Sequence, residues 1–272
     1  MNIIITGSTG FIGRHLLNYL MSKIPKSKFI AIYNKGLPYK QNSRLKFIKI
    51  NLERNFNINF INKETIVIHL AWDYIPDYNT KDHKTIHLKH QKNFIRKILK
   101  KSPKTLFVMG SCTEYGNLNK KLNEESDIKP QNNYAEAKNL LRIYIKKIKP
   151  ISTNFTWGRL FYVYGKNQPT HTLYGQFLKY KNNKSKIKKL IKNPNLELDY
   201  LNIRTVCKYI HALAFNNKNN NEVNICSGKK ISLQILLNKW LKKKLIHKKK
   251  SKYNFFYGSN NKLKLIINDF AK

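Results

Sequence analysis

A short apolar pattern, Asn2-Ile3-Ile4-Ile5-Thr6, runs without a break into Gly7-Ser8-Thr9-Gly10-Phe11-Ile12-Gly13 and on into a helical pattern reaching Lys23. No other feature of the chain restricts its fold as much. Gly7 permits the tight turn off the strand, Gly10 lets backbone N–H groups approach a phosphate, and Gly13 lets the helix pack close against the strand. The helix N-terminus that follows carries partial positive charge and favours an anion. A strand followed by a helix in this way leads to a parallel strand, because the helical crossover returns the chain to the edge it left.

The sequence beyond keeps that rhythm. Strand-like runs occur at Lys28 to Tyr33, Leu45 to Ile50, Thr65 to Leu70, Thr105 to Met109 and Phe155 to Tyr162. Between them, His83 to Lys100 reads as a helix with Ile86, His90, Phe94, Ile95 and Ile98 on one side. Asn133 to Lys149 reads as another, with Tyr134, Ala137, Leu141 and Ile145 in one stripe. The expectation is an α/β fold: a Rossmann-like doubly wound parallel sheet over residues 1–165, then a small C-terminal substrate-binding lobe. Residues 166–272 mainly form that lobe, with some segments returning to the sheet. A length of 272 residues suits such an architecture. The Asn216 to Asn221 tract reads as a surface loop.

The formal charge of +39 invites a nucleic-acid partner, but its make-up argues against one. Arginine, the better phosphate and base reader, stands at only seven positions, and lysine supplies the rest of the 53 basic residues. Together with abundant Asn and Ile, this pattern fits a coding bias that places lysine on solvated faces. The densest runs, Lys184 to Lys192 and Lys242 to Lys250, are expected to decorate helices. The three cysteines lack CxxC spacing, so reduced thiols and no metal site are expected. The first residues are apolar too briefly for a signal peptide, and no apolar run approaches membrane length. These features imply a cytoplasmic protein without membrane insertion.

Tyr134 and Lys138 form a YxxxK pair on one helical face. Tyr19/Lys23 and Tyr180/Lys184 satisfy the same pattern, so spacing alone decides nothing. Tyr134 is singled out by opening the helix that follows the fifth strand, downstream of Ser111-Cys112-Thr113-Glu114-Tyr115-Gly116. With the TGxxGxxG spacing of the glycine loop, these segments resemble the extended short-chain dehydrogenases, the NAD-dependent epimerase/dehydratase family. Arg159-Leu160-Phe161-Tyr162-Val163-Tyr164-Gly165, Leu198-Asp199-Tyr200 and Val223 to Lys229 carry the resemblance along almost the whole chain.

The resemblance implies a catalytic set of Ser111, Tyr134 and Lys138. It implies a nicotinamide cofactor held by Gly7, Thr9, Gly10, Phe11, Ile12, Gly13, Asn34, Asn51, Leu52, Leu70, Ala71, Tyr134 and Lys138. Asn34 stands where the family usually has an acidic residue, and Lys35 follows, which favours NADP over NAD. Leu198 replaces an arginine that often grips the substrate phosphate. On the substrate side the resemblance points to Trp72, Cys112, Thr113, Tyr162 and His171.

The chemistry requires these residue types. Hydride transfer to a carbonyl leaves an alkoxide to be protonated, and a phenol of pKa about 10 needs a nearby cation, here Lys138, to work near neutrality. Ser111 would hold the same oxygen. Cys112 and Thr113 replace the Asp-Glu pair of 4,6-dehydratases, which points away from dehydration. The expected activity is reduction of a 4-keto-6-deoxy nucleotide sugar. A 4-epimerase or epimerase-reductase is the alternative, and a non-catalytic dinucleotide sensor is the alternative of another class. A homodimer through the helices at 83–100 and 133–149 is expected from the resemblance.

Overall fold

A computed structural model describes residues 1–36, 41–54, 56–73, 77–116, 119–190, 196–242 and 254–271. In chain order the first elements are β1 (Asn2–Thr6), α1 (Phe11–Lys23), β2 (Lys28–Tyr33), β3 (Leu45–Lys49) and β4 (Ile66–His69). A π-helical turn at His83–His87 then leads into α2 (Leu88–Leu99), followed by β5 (Thr105–Ser111), β6 (Lys121–Leu122), α3 (Asn133–Ile148) and β7 (Asn154–Leu160). The remainder comprises β8 (Tyr162–Tyr164), α4 (Leu173–Tyr180), α5 (Lys184–Lys189), β9 (Leu196–Leu198), β10 (Tyr200–Asn202) and α6 (Ile203–Phe215). β11 (Asn221–Ile225), β12 (Ile231–Ser232), α7 (Leu233–Leu241), β13 (Asn254–Gly258) and α8 (Asn261–Ala271) complete it.

Seven parallel strands form the main sheet in the order β11-β7-β5-β4-β1-β2-β3. The strand pleat divides the apolar side chains between its two faces. Ile3 and Ile5 of β1 pack with Leu16, Leu17 and Leu20 of α1 and with Val206 and Ile210 of α6. Ile4, between them, joins the opposite core with Phe94 and Ile95 of α2 and Leu141 of α3. β11 is the last strand of the sheet to form in sequence, so residues 203–225 return to the sheet after the chain has left it. The strand order reverses between β1 and β4, the position at which sheets of this kind leave a crevice outside their carboxyl ends.

Several expectations are corrected by the structure. The helix expected from His83 begins with a π turn, in which the Leu88 N–H reaches back to the His83 carbonyl. That wider turn rotates the face: Ile86 is exposed and His90 half-buried, while His83, His87, Leu88 and Gln91 point inward. The strand expected over Phe155 to Tyr162 divides at Phe161. The Phe161 N–H still bonds Ile225, but that of Tyr162 bonds Asp199, and β8 pairs with β10 outside the main sheet. The Asn tract is more than a surface loop. Asn220 is buried and donates to Thr156 Oγ1 and the Leu213 carbonyl, while Asn219 Oδ1 accepts from the Phe155 N–H. Of the two lysine runs, 184–189 is helical, whereas 191–192 and 243–250 lie outside the described residues. Among the described residues no helix is long and apolar enough to cross a membrane.

Candidate active site

The glycine loop closes against the end of β4. Gly7 has φ +66, and a β-carbon there would meet the Ala71 backbone nitrogen at 3.0 Å. A β-carbon on Gly13 would stand 2.2 Å from the Gly7 carbonyl oxygen, so helix and loop touch only because both positions are glycine. At Gly10 the same test meets only the Gly7 oxygen, at 3.2 Å, leaving its other side open. α1 starts at Gly10 with no side-chain cap and no acidic residue in its first turn. An open cradle at an uncapped helix N-terminus fits a pyrophosphate. Phe11 and Ile12 turn toward the core, and Ser8, fully buried, ties the loop to the Ile32 carbonyl through both its N–H and its hydroxyl.

Beneath the crevice a closed hydrogen-bond ring fixes Leu70 and Ala71. Thr6 Oγ1 accepts from both of their backbone N–H groups, so its own proton goes to His69 Nδ1, 2.8 Å away. His69 Nε2 therefore donates to Gln91 Oε1, and Gln91 Nε2 donates to the Ala71 carbonyl. Burial, reinforced by the nearby Lys138 ammonium, lowers the His69 pKa to about 3 and keeps the ring neutral.

Ser111, Tyr134 and Lys138 converge where β5 ends. The Ser111 side chain lies close enough to Tyr134 to favour loss of its proton. Lys138 Nζ lies 5.8 Å from the Tyr134 ring centre, donates to the Met109 carbonyl at 2.8 Å and sits 4.1 Å over Trp72. Burial raises the Tyr134 pKa, with Tyr78 and Glu114 adding to the rise and the Ser111 side chain opposing it. Burial also lowers Lys138 to about 7, with Glu114 opposing. Burial sets the direction of both shifts in this arrangement.

The segment after Ser111 is held from below. Glu114 is fully buried; one carboxylate oxygen accepts from the Ser111 N–H and the other from Arg159 Nε at 3.0 Å, while Trp157 Nε1 donates to both. Arg159 Nη1 reaches the Tyr115 hydroxyl, which donates to Asn224 Oδ1. Ser111 Oγ is shared with Thr113 Oγ1 at 2.8 Å. From above, Trp72, Tyr78 and His83 pack against the Tyr134 ring.

A model of the NAD dependent epimerase/dehydratase family matches residues 3–226. The chain belongs to that family. A curated relative, dTDP-6-deoxy-L-talose 4-dehydrogenase (NAD(+)) of Aggregatibacter actinomycetemcomitans, is 26% identical over 262 residues, covering 94% of this chain and 95% of the relative. A UDP-N-acetylglucosamine 4-epimerase from Methanobrevibacter ruminantium M1 superposes with a TM-score of 0.77 at 19% identity, covering 97% of this chain and 91% of that one. A UDP-glucuronic acid 4-epimerase from Bacillus cereus gives a TM-score of 0.75 at 20% identity, covering 98% and 90%. These two likenesses concern the fold.

The other expected positions distribute around the crevice. Asn34 is half-buried just past β2, and Asn51 and Leu52 form a turn after β3 in which Leu52 packs on the core below. Thr9 donates its hydroxyl to the Lys35 carbonyl. Cys112 is buried in a cluster with Tyr115, Phe161 and Cys226, and burial raises its thiol pKa. Tyr162 is partly exposed and stacks near Tyr200 and Phe256. His171 is exposed ahead of α4, its carbonyl accepting from Gln176 Nε2. Sequence reading missed Gln91, Tyr78, His83 and Glu114 as parts of this site. Only Glu114 had a legible signal, the capping box it forms with Ser111.

Proposed function

We propose that this member of the epimerase/dehydratase family reduces the 4-keto group of a nucleotide-linked 4-keto-6-deoxy sugar. The observation that carries the reading is the convergence of Ser111, Tyr134 and Lys138 at the end of β5, on the same side of the sheet edge as the glycine cradle. The A. actinomycetemcomitans relative, named for C4 of a deoxy sugar nucleotide, supports the choice of carbon. Positions 112 and 113 carry a buried cysteine and a threonine bound to Ser111, so neither offers the carboxylate that dehydration needs.

A nicotinamide dinucleotide would supply the hydride when bound. Gly7, Thr9, Gly10, Phe11, Ile12 and Gly13 would hold its pyrophosphate side, Asn34 the adenosine ribose, Asn51 and Leu52 the adenine, and Leu70 and Ala71 the underside. Tyr134 and Lys138 would meet the nicotinamide ribose. Tyr134 protonates the oxygen at C4, and burial keeps it a phenol ready to donate. Ser111 fixes the same oxygen, with its hydroxyl aligned by Thr113. Trp72, Thr113, Tyr162 and His171 are assigned to the sugar nucleotide, and Cys112 shapes the wall. Residues 166–272 mainly form the lobe that closes over it. We also infer a homodimer through the outer faces of α2 and α3, where Leu140 and Ile143 are exposed.

The test is to mix the protein with 4-keto-6-deoxy nucleotide sugars and NADPH or NADH, follow dinucleotide absorbance and identify the product by NMR. Consumption of the reduced dinucleotide with a new C4 hydroxyl is expected. Tyr134→Phe should cut turnover about a hundred- to ten-thousand-fold with dinucleotide affinity retained. Interconversion of C4 epimers without net dinucleotide consumption would replace the reductase by an epimerase.

A further inference from the structure

We propose that His83 and Trp72 are positioning residues for Lys138: His83 sets the angle of the Trp72 indole, and the face of that indole holds the lysine ammonium where the nicotinamide ribose is to bind. The inference rests on the dinucleotide reading above, and gives Trp72 a role beside its proposed contact with the sugar. Lys138 is buried, and an ammonium has three N–H donors that are costly to leave without partners. One goes to the Met109 carbonyl at 2.8 Å. On another side, Nζ stands 4.1 Å from the centre of the Trp72 ring. At that distance the negative face of an aromatic ring attracts a cation, and indole does so best of the natural rings. A donor is left for the ribose hydroxyls.

The other titratable groups around Nζ do not aim it. Glu114 favours the ammonium, but its oxygens are engaged by the Ser111 N–H, Trp157 and Arg159. His69 is kept neutral by burial, and the Tyr134 ring centre lies farther off, at 5.8 Å. The indole face is therefore the contact that fixes the direction of the ammonium.

The indole is in turn held by His83. Trp72 Nε1 donates to His83 Nδ1 at 3.1 Å. An indole N–H can only donate, so Nδ1 is the bare nitrogen of the imidazole, and Nε2 carries the proton that goes to the Asp77 carbonyl at 2.8 Å. His83 is fully buried at the start of the π turn, and its ring lies 5.4 Å from that of Tyr134. The Trp72 and Tyr134 rings stand edge to face, 5.8 Å apart. One histidine, turned inward by the π turn, thus sets a tryptophan against both members of the YxxxK pair.

NMR of protein whose lysines carry carbon-13 at Cε tests this without turnover. The Lys138 titration, at about pH 7, stands apart from the ordinary lysine value of about 10.4, and Lys138→Met assigns it by its loss. Growth on 5-fluorotryptophan weakens the ring face with almost no change in volume, and should lower that midpoint by roughly a few tenths of a pH unit, a fraction of a cation–π contact. In Trp72→Phe the same labelling should move nothing, which separates Trp72 from Trp157 and Trp240. His83→Asn, whose amide oxygen falls near the Nδ1 position, should retain the native midpoint. His83→Gln, whose amide reaches the Nε2 position instead, should lower it. A midpoint unmoved or raised by fluorination, or moved equally in Trp72→Phe, overturns the role of Trp72; equal midpoints in the two His83 variants overturn that of His83. Addition of NADH or NADPH should shift the Lys138 signal. Binding of either without such a shift overturns the ribose placement, and failure of both to bind overturns the dinucleotide reading itself.

Discussion

Lys138 and Tyr134 are pushed in opposite directions by one cause. Both are buried, and burial disfavours the charged form of each: the phenol resists losing its proton and the ammonium resists keeping its own. For Lys138 the consequence reaches stability. Its pKa is about 7 in the folded protein against 10.5 for a free lysine. Between those values the unfolded chain binds more protons, so stability rises with pH through that window and the cost of burying the ammonium is fully present below it. Lys138→Met should therefore flatten the rise in thermal midpoint between about pH 7 and pH 10 and raise the midpoint at neutral pH. A pH series of unfolding curves for both proteins checks it, and an unchanged slope would show that Lys138 is not the group responsible. The same variant should lose turnover, because the fold gains from the neutral side chain while the proposed contact with the nicotinamide ribose is lost.

At the scale of elements, the end of β5 depends on a carboxylate that does not face the crevice. Glu114 caps the turn that presents Ser111 and Thr113, and its charge is met by Arg159 from β7. Burial opposes the Arg159 charge, and Glu114 and the Tyr115 hydroxyl together outweigh it. Glu114→Gln leaves the guanidinium buried without its counter-charge and should cost about 3–5 kcal/mol in urea unfolding, far more than an exposed pair. Adding Arg159→Met should recover most of that loss, while kcat stays depressed because a neutral amide oxygen accepts more weakly from the Ser111 N–H. Recovery of kcat in the double variant would show that Glu114 acts only through stability.

The sheet was legible in the sequence because its signals are local. Alternation of short β-branched runs with 3.6-residue stripes set the first strands and helices nearly to the residue, and the glycine loop announced the cradle. The π turn escaped because an inserted residue shifts a stripe without changing composition, so Ile86 reads as interior when it is exposed. β6, β9 and β12 escaped because strands of two or three residues carry too few side chains for a period to show. Ser111, Tyr134 and Lys138 were legible through resemblance. The Thr6–His69–Gln91 ring and the Tyr78–His83–Trp72 packing over Tyr134 were not, since each joins positions distant in sequence.

For the whole molecule, two cores on opposite faces of one sheet leave the outer sides of α2 and α3 as a broad surface on one flank. On α3, Tyr134, Ala137, Leu141 and Ile145 turn inward, while Leu140 and Ile143 face outward, Ile143 at 50% exposure. Ile86, at 42%, lies exposed on the π turn that precedes α2. With a net charge of +39, copies of the chain repel one another at long range. Association must then come from short-range apolar contact, and it should strengthen as salt screens the repulsion. Light scattering after size exclusion should therefore find a dimer whose dissociation constant falls between low and physiological salt. Ile143→Glu, placed at the centre of the inferred contact, should yield monomers in both conditions with the unfolding midpoint unchanged. A dimer that survives this substitution moves the interface elsewhere, and a monomeric parent protein at physiological salt removes it.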